Sequence, residues 1–114
     1  MAIERWAGSA AGRSRIVKHG GLVYTVATAR DKAASVGRQT VDALAVIDAN
    51  LAEAGTDKSR LLSATVYITD MAHKPEMDAA WRTWVDPENA PQRACIGVAL
   101  EGRDLVEIVV TAAV

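Results

Sequence analysis

The sequence has few of the residues that disulfides and metal sites require. It contains one cysteine, Cys95, and two histidines, His19 and His73, which lie far apart. A single cysteine cannot form an internal disulfide, and no zinc-ligand spacing occurs. We therefore expect a reduced, metal-free, cytoplasmic protein.

The chain also lacks an excess of charge of either sign. It has 13 Lys and Arg residues against 14 Asp and Glu residues, which gives a formal net charge of -1. Broad electrostatic attraction to phosphate backbones or to anionic lipids needs a clear positive excess. We expect neither a nucleic acid nor a membrane as a partner.

Long apolar runs, repeats and linker-like segments are absent as well. No apolar run approaches the roughly 18 residues of a membrane span, and the N-terminal segment MAIERWAGSA lacks the apolar centre of a signal peptide. Phe is missing, yet 50% of the residues are hydrophobic, so the chain can bury a core of other apolar residues. We expect residues 1–114 to form a single domain.

Two short β-prone runs surround a pair of glycines in the segment RIVKHGGLVYTVATA. Gly20 and Gly21 can supply the positive φ angles of a tight turn. The segment therefore predicts a β-hairpin, and AIERW predicts a strand before it.

After residue 35 the apolar spacing changes to three and four residues, which is typical of a helix. Ser35 suits its N-terminal cap, and Gly55 suits a left-handed C-terminal cap. The alternating segment LLSATVYI predicts a strand, and Pro75 to Val85 predicts a second, shorter helix. ACIGVAL and LVEIVVTAAV predict two final strands, which the turn EGRD would join as an antiparallel pair.

The order β-β-β-α-β-α-β-β indicates an α+β fold, with a mixed six-stranded sheet and both helices on one face. The other face of the sheet also needs a cover, and no third helix remains to supply it. Burial against further copies of the chain is the simplest solution, so we expect a homo-oligomer.

One carboxylate, Glu107, lies within the aliphatic run DLVEIVV. An ionised carboxylate needs water or a cation there, because burying it alone is costly. The expected pairing of the last two strands would make Arg93 its neighbour. Two interpretations stay open: a structural ion pair, and an anion site in which Arg93 binds a carboxylate while Glu107 orients a water molecule.

Four segments follow one another along the chain: GRQTVDALAVIDANLAEAG, TVYITDMAHKPEMDAAW, APQRAC and VEIVVTAAV. Taken together in this order, they resemble the YjgF/reactive intermediate deaminase (Rid) family. Members of that family typically carry a Pro-x-Arg-x-Cys segment and a terminal Val-Glu-Ile run. The resemblance extends from about residue 15 to the C-terminus.

The resemblance implies a chorismate-mutase-like fold of the bacillary type, a homotrimer with its sheets facing inward, and ligand clefts between subunits. It also implies hydrolysis of 2-imino acids and their enamine forms to 2-oxo acids and ammonia, without a cofactor. Arg93 would bind the substrate carboxylate. Glu107 and the main-chain carbonyl of Cys95 would hold the attacking water, and the Cys95 thiol would be incidental.

The chain departs from the family pattern at the expected pocket. Many members have Gly-Pro-Tyr-Ser where this chain has GRSR, so Ser14 or Arg13 stands near the place of a pocket tyrosine. Val26-Ala27-Thr28 replaces the usual Ser-Gly-Gln and removes a hydroxyl that contacts the ligand carboxylate. We expect Ser14, Val26 and Thr28 to contact the substrate beside Arg93.

Other functions stay open at this point. A trimer that binds small carboxylates such as 2-oxo acids, without turnover, would use the same Arg93. Ribonuclease activity or inhibition of translation, reported for some relatives, fits less well with the charge balance and the lack of a His pair. A chorismate mutase is disfavoured, because one arginine suits its dianionic substrate poorly.

Overall fold

The computed structural model describes residues 1–114 and contains six strands and two α-helices. Their order along the chain is the order that the sequence predicted. Neither helix combines the length and the apolar character that crossing a membrane requires. The elements are β1 (Glu4–Ala7), β2 (Ser14–His19), β3 (Leu22–Thr28), α1 (Val36–Glu53), β4 (Leu61–Ile68), α2 (Lys74–Trp84), β5 (Gln92–Gly97) and β6 (Val106–Ala113).

The local signals for turns and helix ends are confirmed. Gly20 and Gly21 have φ angles of 60° and 81° and connect β2 to β3. The Ser35 hydroxyl accepts a hydrogen bond of 3.3 Å from the main-chain N–H of Arg38, which caps α1. Gly55 has a φ angle of 87° directly after the last turn, a backbone conformation that glycine adopts without strain.

The six strands form one mixed sheet in the order β1-β2-β3-β6-β4-β5. All neighbouring strands are antiparallel except β4 and β5, which are parallel. Both helices pack on one face, so the predicted α+β fold is confirmed. The helix-facing core is almost entirely aliphatic, and its largest fully buried apolar side chains are Ile16, Leu44, Ile47, Leu51, Ile68, Met77 and Ile108.

The predicted antiparallel pairing of the last two strands is wrong. The turn at Glu101 to Asp104 forms, with a hydrogen bond of 3.1 Å from the Asp104 N–H to the Glu101 carbonyl. However, β6 lies between β3 and β4, and β5 lies beyond β4 at the edge of the sheet. β6 pairs with a strand along each of its edges, and its helix-facing side chains are buried, which suits a central position, whereas the shorter and more exposed β5 suits an edge.

The face of the sheet away from the helices is open in the single chain. Exposed apolar side chains on it include Tyr24, Val26, Val109 and Ile96. Monomeric proteins seldom expose large apolar patches. This is the face for which the sequence predicted burial against further copies of the chain.

Candidate functional site

A cleft of about 320 Å³ lies where β3 ends and where β2 and β6 begin. Four of the residues that the sequence indicated line this cleft together: Ser14, Val26, Thr28 and Glu107. Thr28 and Glu107 lie close together because they are direct cross-strand partners in the antiparallel pair of β3 and β6. Cross-strand partners of this kind place their side chains side by side on one face.

Glu107 is half-buried in this cleft. Its neighbour on the other side is Tyr67 of β4, and no ion pair within the chain involves it. Two further carboxylates, Glu101 and Asp104, line the same cleft. No group of three or more His, Cys, Asp or Glu side chains is arranged to hold a metal ion.

Arg93 lies on β5, on the side of the sheet that faces the helices. Its Nη2 donates a hydrogen bond of 2.8 Å to Oδ1 of Asp78 on α2, and its Nη1 lies 3.7 Å from the sulfur of Met77. The guanidinium carbon is 5.4 Å from the ring centre of Trp81, a distance that permits a cation–π contact. The side chain is therefore held by α2 on several sides.

Asp78 binds a second cation as well. Lys74, one turn earlier on α2, donates a hydrogen bond of 2.7 Å to Oδ2 of Asp78. The hydrogen bond from Lys74, opposed by burial and assisted by Arg93, lowers the pKa of Asp78. Asp78 is thus a carboxylate at neutral pH, and it fixes the orientation of Arg93.

Arg93 and Glu107 are not neighbours within one chain, so that prediction and the structural ion pair based on it are wrong. On the intervening strand β4, Arg93 is in register with the buried Ala64, whereas Glu107 is in register with Tyr67. The two residues therefore lie two strands apart and on opposite faces of the sheet. Cys95 lies on the same side as Arg93, half-buried and unpaired.

Lys32 is a contributor that the sequence did not indicate, because it reads as an ordinary polar loop residue. Its Nζ donates a hydrogen bond of 3.0 Å to the hydroxyl of Thr28 and forms an ion pair with Asp104. Asp104 is 72 positions away in the sequence, so no local pattern could have revealed the pair.

Arg15 also lines the cleft, but its charge is already paired. Its Nη1 and Nη2 donate hydrogen bonds of 2.7 Å and 2.8 Å to Glu53 of α1, and Nη1 also donates to Asn50. The hydrogen bond from Arg15 lowers the pKa of Glu53. The neighbouring Arg13 is exposed and makes no ion pair within the chain, so it is the one unpaired cation at the cleft.

Comparison with known proteins identifies the family. A sequence model of the endoribonuclease L-PSP family matches residues 5–114. The chain belongs to this family. A RutC family protein of Haemophilus ducreyi is 43% identical over 103 residues, which cover 89% of this chain and 88% of that protein. The RutC family protein YoaB of Escherichia coli is 34% identical over 102 residues, which cover 89% and 90%.

Solved structures of the endoribonuclease L-PSP family agree with this fold. A member of the YjgF protein family from Neisseria meningitidis superposes with a TM-score of 0.91 at 34% identity, covering 99% of this chain and 95% of the other. The resemblance to the YjgF/Rid family is thus confirmed. A Salmonella typhimurium protein, 33% identical with a TM-score of 0.90 over 99% and 98% of the two chains, is described as a candidate translation initiation inhibitor. Names within the L-PSP family therefore imply several different activities.

Proposed function

We propose that this L-PSP family protein is a homotrimeric hydrolase that converts reactive 2-imino acids and their enamine forms to 2-oxo acids and ammonia. The main support is that a single chain keeps the two central residues of the site, Arg93 and Glu107, apart. Glu107 lies in a cleft on the open face without a paired cation, whereas Arg93 is held on the opposite side of the sheet. A second copy of the chain can bring the two together.

The open sheet face supports such an assembly. Covering it with further copies removes exposed apolar side chains such as Tyr24 and Val109 from water, which favours association. Arg93 lies on the edge strand β5, from where it can reach past its own sheet to the Glu107 cleft of a neighbour. In a closed ring of three copies, each interface then forms one complete site.

In this site Arg93 binds the substrate carboxylate. Asp78 accepts from one edge of the guanidinium at Nη2, and Nη1 lies against the sulfur of Met77. The N–H groups that these contacts leave free are available to an anion. The cation–π contact with Trp81 helps to fix the orientation of the guanidinium. The substrate is thus held through the group that all 2-imino acids share, independently of their side chains.

The reaction requires one water molecule and no covalent intermediate with the protein. Water held by Glu107 and by the main-chain carbonyl of Cys95 adds to the carbon of the protonated imine, which is already electrophilic. Glu107 accepts a proton from the water and returns it to the nitrogen. The C–N bond then breaks and ammonia leaves, while Glu107 takes the remaining hydroxyl proton and passes it to the ammonia. The oxygen becomes the carbonyl of the 2-oxo acid, and ammonium is released. Positioning and local charge suffice for such a step.

The test measures the rate of 2-oxo acid formation from imines that an amino-acid oxidase generates in place, with a trapping amine in competition. We expect the protein to accelerate formation. We expect Glu107→Gln to lower kcat by about 10²–10⁴-fold, the usual contribution of general acid–base catalysis. Arg93→Ala should raise KM by about 10- to 100-fold, as for lost hydrogen bonds to a charged group.

The control is Glu88→Gln, an equivalent change at an exposed position outside the cleft, which should leave the rate unchanged. Full activity of a folded Glu107→Gln protein would contradict the role of the carboxylate. Binding of 2-oxo acids through Arg93 without any acceleration would contradict hydrolysis and favour a binding protein. Sedimentation of the parent as a monomer would contradict the shared site.

A further inference from the structure

The side chain of Lys32 connects two residues of the cleft wall. It donates to the Thr28 hydroxyl at 3.0 Å and pairs with the Asp104 carboxylate, and both of these residues line the Glu107 cleft. The side chains of Lys32 and Asp104 are only 32% and 16% exposed. Such a partly buried pair keeps its geometry better than an exposed ion pair, which solvent and salt weaken.

The direction of the hydrogen bond from Lys32 leaves the hydroxyl proton of Thr28 free to donate. A lysine ammonium can only donate, so the Thr28 oxygen must be the acceptor in its contact with Lys32. The Thr28 hydroxyl makes no other hydrogen bond within the chain, and its own proton therefore remains available. Because Thr28 lies opposite Glu107 on the same face, that proton is available inside the cleft.

Gln39 holds the backbone on which this arrangement depends. Its side chain is fully buried, and its Nε2 donates to the carbonyls of Lys32 and Arg103, both at 3.2 Å. Its Oε1 accepts a hydrogen bond of 2.9 Å from the N–H of Leu105. The main chain is thus fixed at Lys32 and on both sides of Asp104, so the Lys32–Asp104 pair is part of the folded framework.

We propose that Thr28 donates a hydrogen bond to a ligand oxygen in the Glu107 cleft, and that Lys32 and Asp104 are positioning residues for this donor. The inference rests on the proposed function, from which the ligand class of 2-oxo and 2-imino acids is taken. Lys32 acts through Thr28, because its Nζ is bonded to Thr28 and Asp104 and Lys32 is not among the residues that line the cleft.

The test is calorimetric titration of the assembled protein with 2-oxobutanoate. We expect Thr28→Val, which removes the hydroxyl but keeps the shape, to weaken binding about tenfold, as for one hydrogen bond to a charged ligand. Thr28→Ser keeps the donor and should bind within about twofold of the parent, since a hydroxyl of similar strength remains. Lys58→Met is the control for Lys32→Met, because Lys58 lies against Trp84 outside the cleft.

A double-mutant cycle separates positioning from a merely structural effect. Lys32→Met alone should weaken binding less than Thr28→Val does. In a protein that already carries Thr28→Val, Lys32→Met should cause no further loss of affinity, because both changes act through one donor. If the losses of binding free energy in the two single variants add in full in the double variant, the positioning role of Lys32 is wrong. Unchanged affinity in a folded Thr28→Val protein would overturn the donor itself.

Arg93→Ala in the same titration distinguishes this inference from the proposed function. If the parent binds 2-oxobutanoate through Arg93 but does not respond to Thr28→Val, only the Thr28 donor is wrong. If the folded parent does not bind 2-oxobutanoate at all, the carboxylate site and the donor are both wrong. Binding that depends on both residues, with or without hydrolysis, supports the donor.

Discussion

Arg93 and Asp78 form an ion pair between β5 and α2, with 2.8 Å between Nη2 and Oδ1. Their side chains are 20% and 21% exposed, so each is largely shielded from solvent. The residue proposed to bind the substrate carboxylate is thus already in contact with a carboxylate of its own chain.

We expect Asp78→Asn to strengthen the binding of 2-oxo acids by about fivefold, which corresponds to about 1 kcal/mol, the upper range for a partly exposed ion pair. Asparagine retains an oxygen that can accept from Arg93, but it removes the negative charge that competes with the ligand. Calorimetric titration measures the change. Weaker binding by the variant would mean that the charge of Asp78 is needed to orient Arg93. Asp48→Asn, at an exposed site beside Trp84, is the matched control.

The lowered pKa of Asp78 predicts a specific effect of acid on stability. A carboxyl whose pKa is lower in the folded state stabilises the fold above its unfolded pKa, and this contribution disappears as the pH falls through the folded pKa. At neutral pH the free energy of unfolding of Asp78→Asn should therefore be lower than that of the parent. The difference should shrink below about pH 4, the ordinary value for aspartate. Urea unfolding at several pH values measures it, and a difference independent of pH would contradict the assignment.

Gln39 is expected to matter more for stability than any exposed residue of the same helix. Gln39→Leu retains the approximate volume but leaves the Leu105 N–H and two carbonyls without their partner, at a cost of about 2–3 kcal/mol in unfolding free energy. Arg38→Leu, at the exposed adjacent position, should change it by less than about 0.5 kcal/mol. Equal effects of the two substitutions in urea unfolding would show that the buried hydrogen bonds contribute little.

A charge on the open sheet face should disrupt the proposed trimer. Val109, with 38% exposure, lies near the centre of this face, and Val109→Glu would place an unpaired carboxylate in the interface. We expect analytical ultracentrifugation to detect monomers of the variant at a concentration where the parent is trimeric. Val41→Glu on α1, a site with 49% exposure, is the control and should not alter assembly. Unchanged assembly of Val109→Glu would exclude this face as the interface.

The predictable parts of the fold were those that depend on local patterns. Periodicity and glycine positions identified the helices and strands, because the positive φ at Gly20 or Gly55 and the apolar stripe of α1 are properties of short segments. Strand pairing is different, since each strand can choose among several partners. The turn after Glu101 indicated a hairpin with β5, but β6 pairs with β3 and β4 instead and lies in the centre of the sheet.

In the candidate site too, some residues could be predicted from the sequence, whereas contacts that depend on strand pairing could not. Ser14, Val26, Thr28 and Glu107 were indicated by the sequence and lie together in the cleft. The position of Arg93 relative to Glu107 depended on the incorrect strand pairing, and so it was wrong. The contact of Lys32 with Asp104 joins two loops far apart in the sequence, which Gln39 also connects through its hydrogen bonds.

The placement of Arg93 and Glu107 on opposite faces of the sheet has a genetic consequence. Suppose that each site takes Arg93 from one chain and Glu107 from the neighbouring chain. Then Arg93→Ala and Glu107→Gln each damage a different half of the site. Mixed trimers of these two defective chains contain clefts in which both residues are intact. Coexpression should therefore restore part of the activity that each variant alone has lost, so that two recessive lesions in one gene complement each other.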